Sequence, residues 1–280
     1  MYIYNNVGAM TALHMLGGTT RSRETAFNEV ATGKSIGSAS DNAALWAISQ
    51  IMEADVSGFS ALSDTLSLSE ATVSVASVGA ERATEILGEM KQLAVLGTGQ
   101  NVNHAIIEEQ MAHKTSQLNS IINSSQFNGV NLLRTDIDGT GATAMTVASS
   151  LDRPGGGGSP VLSNITVNSL DLEGSPSFNI NGRTAITDSA SAATALTEIE
   201  GFMQYAIDGA AALGASASRI ADQNQFIGKL ADVTRMSISK MTDANMEEAI
   251  TRMMAMEVQH KLGIISLNIA NSMPETLLKL

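Results

Sequence analysis

The sequence predicts a mainly α fold: a long antiparallel coiled coil or helical-bundle rod built from the N- and C-terminal arms, with a small β-hairpin-rich segment between them. Three observations carry this. Phe59, Leu62, Leu66, Ser69, Val73, Ala76, Ala80, Ala83, Leu87, Met90 and Ala94 follow one another at alternating steps of three and four, the 3.5-residue period of a coiled-coil seam. The four prolines stand at 154, 160, 176 and 274. Because proline breaks helices, two long proline-free arms flank a short middle. Finally, 44% of residues are hydrophobic but only 4% aromatic. Ala, Met, Leu and Ile must then fill the interior, which suits close helix packing.

Taken in order, residues 1–34 make a weaker helical pattern through Leu13, Leu16, Phe27 and Val30, loosened by Gly17-Gly18. A Gly/Ser-rich connection, 33–40, leads to Asp41-Asn42, a cap for the long helix, which ends at Gly97-Thr98-Gly99. Such a helix would be roughly 85 Å long at 1.5 Å per residue. A second helix, about 103–123, carries Ile107, Met111, Leu118 and Ile122 on one face and should return antiparallel to the first. In the middle, Asn128-Gly129 and Asn181-Gly182 are hairpin-turn dipeptides. Phe178, Ile180, Thr184 and Ile186 flank the second as strands, and Ile165, Val167 and Leu170 suggest a third strand. Gly155 to Gly158 reads as a flexible loop; it lacks the Lys-Ser/Thr of a phosphate-binding loop.

The second arm starts near Ser189 and reads as helix to the end. Ile227, Leu230, Thr234, Ile238, Met241 and Ala244 give it a seam. Beyond Asp243 it is Met-rich and amphipathic through Met246, Ile250, Met253, Met254, Val258, Leu262, Ile265 and Ile269, and Pro274 precedes an apolar last turn of Leu277, Leu278 and Leu280. Methionines in such a stripe read as adaptable packing. Apolar ends at both termini cannot be covered by one thin rod and need partners. An isolated helix with one buried face is marginal in water, so residues 1–30 and 250–280 are expected to be largely disordered in the free monomer and to order only when neighbours supply the missing surface.

The net charge of −12 disfavours nucleic acid. The chain has no cysteine, so no disulfide. The start lacks the charged and apolar segments of a cleavable leader, and no run reaches the ~20 apolar residues of a membrane span. His14, His104, His113 and His260 are scattered, without metal-ligand spacing. Glu108-Glu109 and Glu247-Glu248 read as solvated helix faces. Neither a catalytic nor a metal site nor a cofactor motif emerges. An enzyme or an adhesin with its site in residues 136–190 would need a titratable cluster or a pocket.

The run from Ala31 through Gly33, Ser38-Ala39-Ser40-Asp41-Asn42 to Ala43-Ala44 resembles a stretch of bacterial flagellins. Leu87 to Val95 (LGEMKQLAV) resembles their next motif, Ser125 to Val130 (SQFNGV) the one after, and Asp243 through Pro274-Glu275-Thr276-Leu277-Leu278 their C-terminus. The matches keep the family's order and cover roughly 1–135 and 190–280. The residues around Trp46 look like the alphaproteobacterial variant.

The resemblance implies a structural subunit that polymerises into the flagellar filament; a flagellin-like hook–filament junction protein is the alternative. It implies a terminal coiled-coil core of 1–40 with 245–280, a helical rod of 41–135 with 190–244, and a short outward-facing β-rich segment, 136–189. The chain would leave the cell without signal cleavage through the flagellar type III export apparatus. Its partners would be its own copies, an export chaperone, and the hook-associated junction and cap proteins, with no membrane insertion. Flagellins sensed by the Toll-like innate receptor carry Arg where this chain has Glu89, and Glu where it has His113; such charge changes would weaken that contact. The assembly seam is expected at Phe59, Leu62, Leu66, Val73, Leu87 and Met90, at Ile227, Leu230 and Met241, and at Ile250, Leu262, Ile265 and Ile269.

Overall fold

The computed structural model describes residues 6–153 and 159–277, with side chains to residue 272. The proposed loop Gly155–Gly158 and the side chains of Leu277, Leu278 and Leu280 lie outside the described residues. Along the chain run α1 (Val7–Thr32), α2 (Ala43–Gly97), α3 (His104–Ser124), β1 (Ala144–Asp152), β2 (Val161–Asn168), α4 (Ser189–Thr242) and α5 (Met246–Leu277). They fall into two compact units, Met1–Val56 with Asp232–Leu280, and Ser57–Ala231.

In the second unit the heptad of α2 is the core. Every seam residue from Phe59 to Ala94 is buried, Ser69 included, whose hydroxyl donates to the Thr65 carbonyl at 2.8 Å. α3 runs back along α2: His104 meets the Gly97 carbonyl at 2.9 Å, Lys114 pairs with Glu89, and Ser125 sits against Gly79. As expected, Ile107, Met111, Leu118 and Ile122 face inward. Gly79 lies off the seam but is not incidental. A Cβ there would collide with Ser125 and Leu133, so its missing side chain lets the two helices approach. α4 packs antiparallel to α2, through Lys91–Glu200 at 2.9 Å and an Asn224 amide that bridges Ser63 and Ser67.

Asn128-Gly129 forms the tight turn its residues favour. Both have positive φ (50° and 84°), and Phe127 and Val130 exchange backbone hydrogen bonds across it. The second such dipeptide does not. Asn181-Gly182 lies in a 3-10 turn, Ile180–Gly182, where the Asn179 side chain accepts from the Gly182 N–H at 3.0 Å. Phe178, Ile180 and Ile186 are buried, as the alternation anticipates, but the backbone there turns instead of pairing as strands, and Phe178 packs on Phe202 and Tyr205, with ring centroids 5.3 and 6.1 Å away. The hairpin is instead β1 with β2, antiparallel from Ala144↔Asn168 to Asp152↔Val161 with an irregularity between Ala148 and Ser150. There the Ser149 carbonyl accepts from Gln223 of α4 at 2.7 Å. β2 contains Ile165 and Val167 but stops short of Leu170, whose N–H goes to the Leu132 carbonyl.

Two further corrections concern helix ends and charge. The second arm is not one helix, because it breaks at Asp243–Asn245. The break pairs with the connection after α1: Ser35 and Ile36 donate to the Thr242 carbonyl, and Ala244 donates to that of Gly33. Asn245 then receives the Glu247 N–H at 3.2 Å. Glu108 is also not a solvated carboxylate. It takes two bonds from the buried guanidinium of Arg183, at 2.7 and 3.1 Å, and one from the Ile186 N–H at 2.8 Å.

Candidate assembly surface

α1 and α5 pack against each other in the first unit. Asn6 caps α1 through the Ala9 N–H and also donates to the Ala270 carbonyl at 2.8 Å, while Arg252 reaches Glu29 at 3.3 Å at the other end. The pair is therefore antiparallel. α1 ends at Gly33, which takes a left-handed φ of 70° and caps Glu29.

The side chains covered along the pair follow a heptad on both helices: Ala9, Ala12, Leu16, Thr19, Arg23, Ala26 and Val30 on α1, and Ala249, Met253, Met256, His260, Gly263, Leu267 and Ala270 on α5. Half of them are Ala, Gly or Thr. Gly263 lets Leu16 in, since a Cβ there would stand 3.1 Å from Leu16 Cδ1. Such residues draw backbones close but bury little apolar area.

Many large apolar side chains point elsewhere. Met246, Ile250, Met254, Val258, Leu262, Ile265 and Ile269 form an exposed stripe along α5, and Val7, Met10, Leu13, Met15 and Phe27 are exposed on α1. Phe27 and Met253, with Arg23, Glu24, Asn28 and Glu257, line a groove of about 660 Å³ between the helices. Glu257 is held below the usual carboxylate range by its bond to Lys261, that residue's charge and the nearby Arg23.

The expected seam residues thus divide. Phe59, Leu62, Leu66, Val73, Leu87, Met90 and Ile227 lie in the core of a single chain; Leu230 packs partly against it and Met241 is half-buried. Ile250, Leu262, Ile265 and Ile269 are exposed. Sequence periodicity found both sets without distinguishing them. It caught only Leu16, Val30 and Met253 of the α1–α5 seam, because the Ala, Gly and Thr between them give little hydropathy contrast. Glu89 and His113 border the α2–α3 groove with Leu93 and Leu96. Among the described residues, no three His, Asp or Glu side chains gather as a metal site would require, and no helix is long and apolar enough to cross a membrane.

Terminal arms that fold onto each other around a short middle define a class of helical structural protein, and comparison with known proteins identifies it. Residues 3–137 match the bacterial flagellin N-terminal helical region and 196–280 the C-terminal helical region. A flagellin of Brucella melitensis is 30% identical, covering 99% of this chain and 98% of its own. Flagellin FljK of Caulobacter vibrioides is 28% identical over 99% of this chain and 97% of its own. The crystal structure of Bacillus cereus flagellin aligns with a TM-score of 0.48 and 17% identity, over 57% of this chain and 86% of that one. The chain belongs to the bacterial flagellin family, a family of structural proteins of the flagellar filament.

Proposed function

We propose that this chain is the repeating subunit of a swimming filament, and that its copies join through the outer faces of α1 and α5. The observation that carries this is the two-sidedness of that pair: one face of each helix is covered by the other, and Ile250, Leu262, Ile265 and Ile269, with Met10 and Leu13, stand exposed on the other faces. Water opposes an apolar surface of that extent, and further copies of the same pair can cover it.

In this reading 1–40 with 245–280 form the filament core, 41–135 with 190–244 the surrounding helical layer, and 136–189 the outer segment. The role is mechanical rather than catalytic, and the filament lies outside the cell. The chain reaches it through the flagellar type III apparatus, escorted by a chaperone on the C-terminal arm, and meets the junction and cap proteins at the filament's ends. Full-length similarity to flagellins supports the filament subunit over the junction protein. Glu89, paired with Lys114 beside His113, supports weak recognition by the Toll-like receptor.

The test is hydrogen exchange on free and polymerised chain, with filaments verified by electron microscopy. Amides of Leu262–Ile269 should exchange rapidly when free and slowly when assembled. Equal, strong protection in both states, or no filaments from seeded chain, would end the proposal.

A further inference from the structure

The chain has 15 methionines and no cysteine, so thioethers are its only readily oxidised sulfur. They fall into distinct environments. Met90 and Met111 are fully buried in the second unit, and Met253 and Met256 are partly covered in the α1–α5 seam. Met10, Met15, Met246 and Met254 are 54%, 70%, 39% and 59% exposed on α1 and α5, and Met236 is exposed on α4, away from those two helices. Met254 lies within the α5 stripe, one turn from Ile250 on one side and Val258 on the other.

We propose that Met10, Met15, Met246 and Met254 are oxidation sites, and that converting them to sulfoxides with a hydroperoxide blocks self-assembly of the free chain. This rests on the polymerisation reading above. In the chemical step the sulfur lone pair attacks the terminal peroxide oxygen and the O–O bond breaks. The departing oxygen takes a proton, giving methionine sulfoxide and an alcohol, or water from hydrogen peroxide. Sulfur loses two electrons and the peroxide gains two. Rate follows access to sulfur, so these four react before Met90 and Met111. The product places a strong hydrogen-bond acceptor within an apolar stripe, where covering it without a donor is unfavourable. The fold of the single chain is spared, because none of the four belongs to its buried core. Assembly covers the same sulfurs, so the chain is vulnerable only until it joins.

The experiment treats full-length chain with hydrogen peroxide, maps sulfoxides by peptide mass spectrometry, and measures the critical concentration for seeded growth. Sulfoxide should accumulate first at these four positions and at the equally exposed Met236, and at the four more slowly in preformed filaments. The critical concentration of treated chain should rise about tenfold or more, and methionine sulfoxide reductases should reverse the rise. In the combined variant Met10→Leu, Met15→Leu, Met246→Leu and Met254→Leu, the ratio of treated to untreated critical concentration should shrink toward one. Treated chain that carries these sulfoxides yet grows like untreated chain overturns the proposal. So does a loss that the reductases do not reverse, a ratio unchanged in the variant, or equal oxidation of free and assembled chain. If untreated chain fails to grow, the polymerisation reading falls and takes this proposal with it; if treated and untreated chain grow alike, this proposal alone falls.

Discussion

The α2 seam and the α1–α5 seam obey the same spacing and do different things. In the α2 heptad, Leu66, Val73, Leu87 and Met90 are fully buried by helices of their own chain, and Ile86 beside them as well. Between α1 and α5, Ala, Gly and Thr fill half of the inward positions, among them the two most buried on α1, Ala12 and Ala26, and a full stripe of large apolar side chains faces out. A heptad therefore sets which residues share a face, whereas side-chain size decides whether the pair is self-sufficient. The second unit buries its seam within itself, while the first leaves an apolar stripe along α5 exposed.

The comparison breaks most sharply at Leu66. Leu66→Asp leaves an unpaired carboxylate among buried side chains and should cost about 4 kcal/mol or more. Urea denaturation followed by circular dichroism should show the second unit lost, and filaments with it. A cooperative transition near that of the unchanged chain would mean the α2 seam is not the core. Leu262→Asp is the counterpart: it should change the free chain's stability by less than about 0.5 kcal/mol yet abolish growth on seeds. Gly79→Ala comes next. The added methyl meets Ser125 and Leu133, and overpacking should outweigh the better helix propensity, for a net loss of about 1 kcal/mol. Unchanged or raised stability would show that α3 yields there without strain.

A smaller effect concerns pH. Burial works against ionisation of Glu108, but the Arg183 hydrogen bonds, the Ile186 N–H and the Arg183 charge together hold its carboxyl below the usual range. A depressed carboxylate stabilises the fold above its unfolded pKa of about 4.3, and that contribution disappears as pH falls through the folded value. The stability advantage over Glu108→Gln should thus be present at neutral pH and vanish on acidification below about pH 4. A gap that stays constant with pH would remove Glu108 from the account. Smallest of all is deletion of Gly155–Gly158. It shortens the link between Asp152 and Val161 to four residues, a length that still closes a hairpin, so polymerisation should be unaffected. A deleted chain that cannot polymerise would place the middle in the assembly core.

Much of this was legible because long helices repeat their instructions. The eleven-residue seam, the Asn42 cap, which receives the Ala44 and Leu45 N–H groups, and the face of α3 all follow from spacing and capping chemistry. β1 was not legible: Ala144-Met145-Thr146-Val147-Ala148-Ser149-Ser150 has too few large side chains to alternate. Asn181-Gly182 misled because the same residues that favour a hairpin turn also close a 3-10 turn, and tertiary packing of Phe178 decided between them. Glu108 was hidden because its partner, Arg183, is 75 residues away. On α5 the apolar positions were found, but a hydropathy pattern carries no record of which neighbour belongs to the same chain.

The bridge between the two helix breaks has a kinetic consequence. Asn6 and Ala270 are separated by 264 positions, and closing a loop of that size unaided is slow. The backbone bonds joining Gly33, Ser35 and Ile36 to Thr242 and Ala244 hold the roots of α1 and α5 together. From there each successive turn needs only a short local closure, so the terminal pair can zip outward from Gly33 toward Asn6. Because the bridge is made of peptide groups, substitutions along the two helices leave the starting point of that zipper in place.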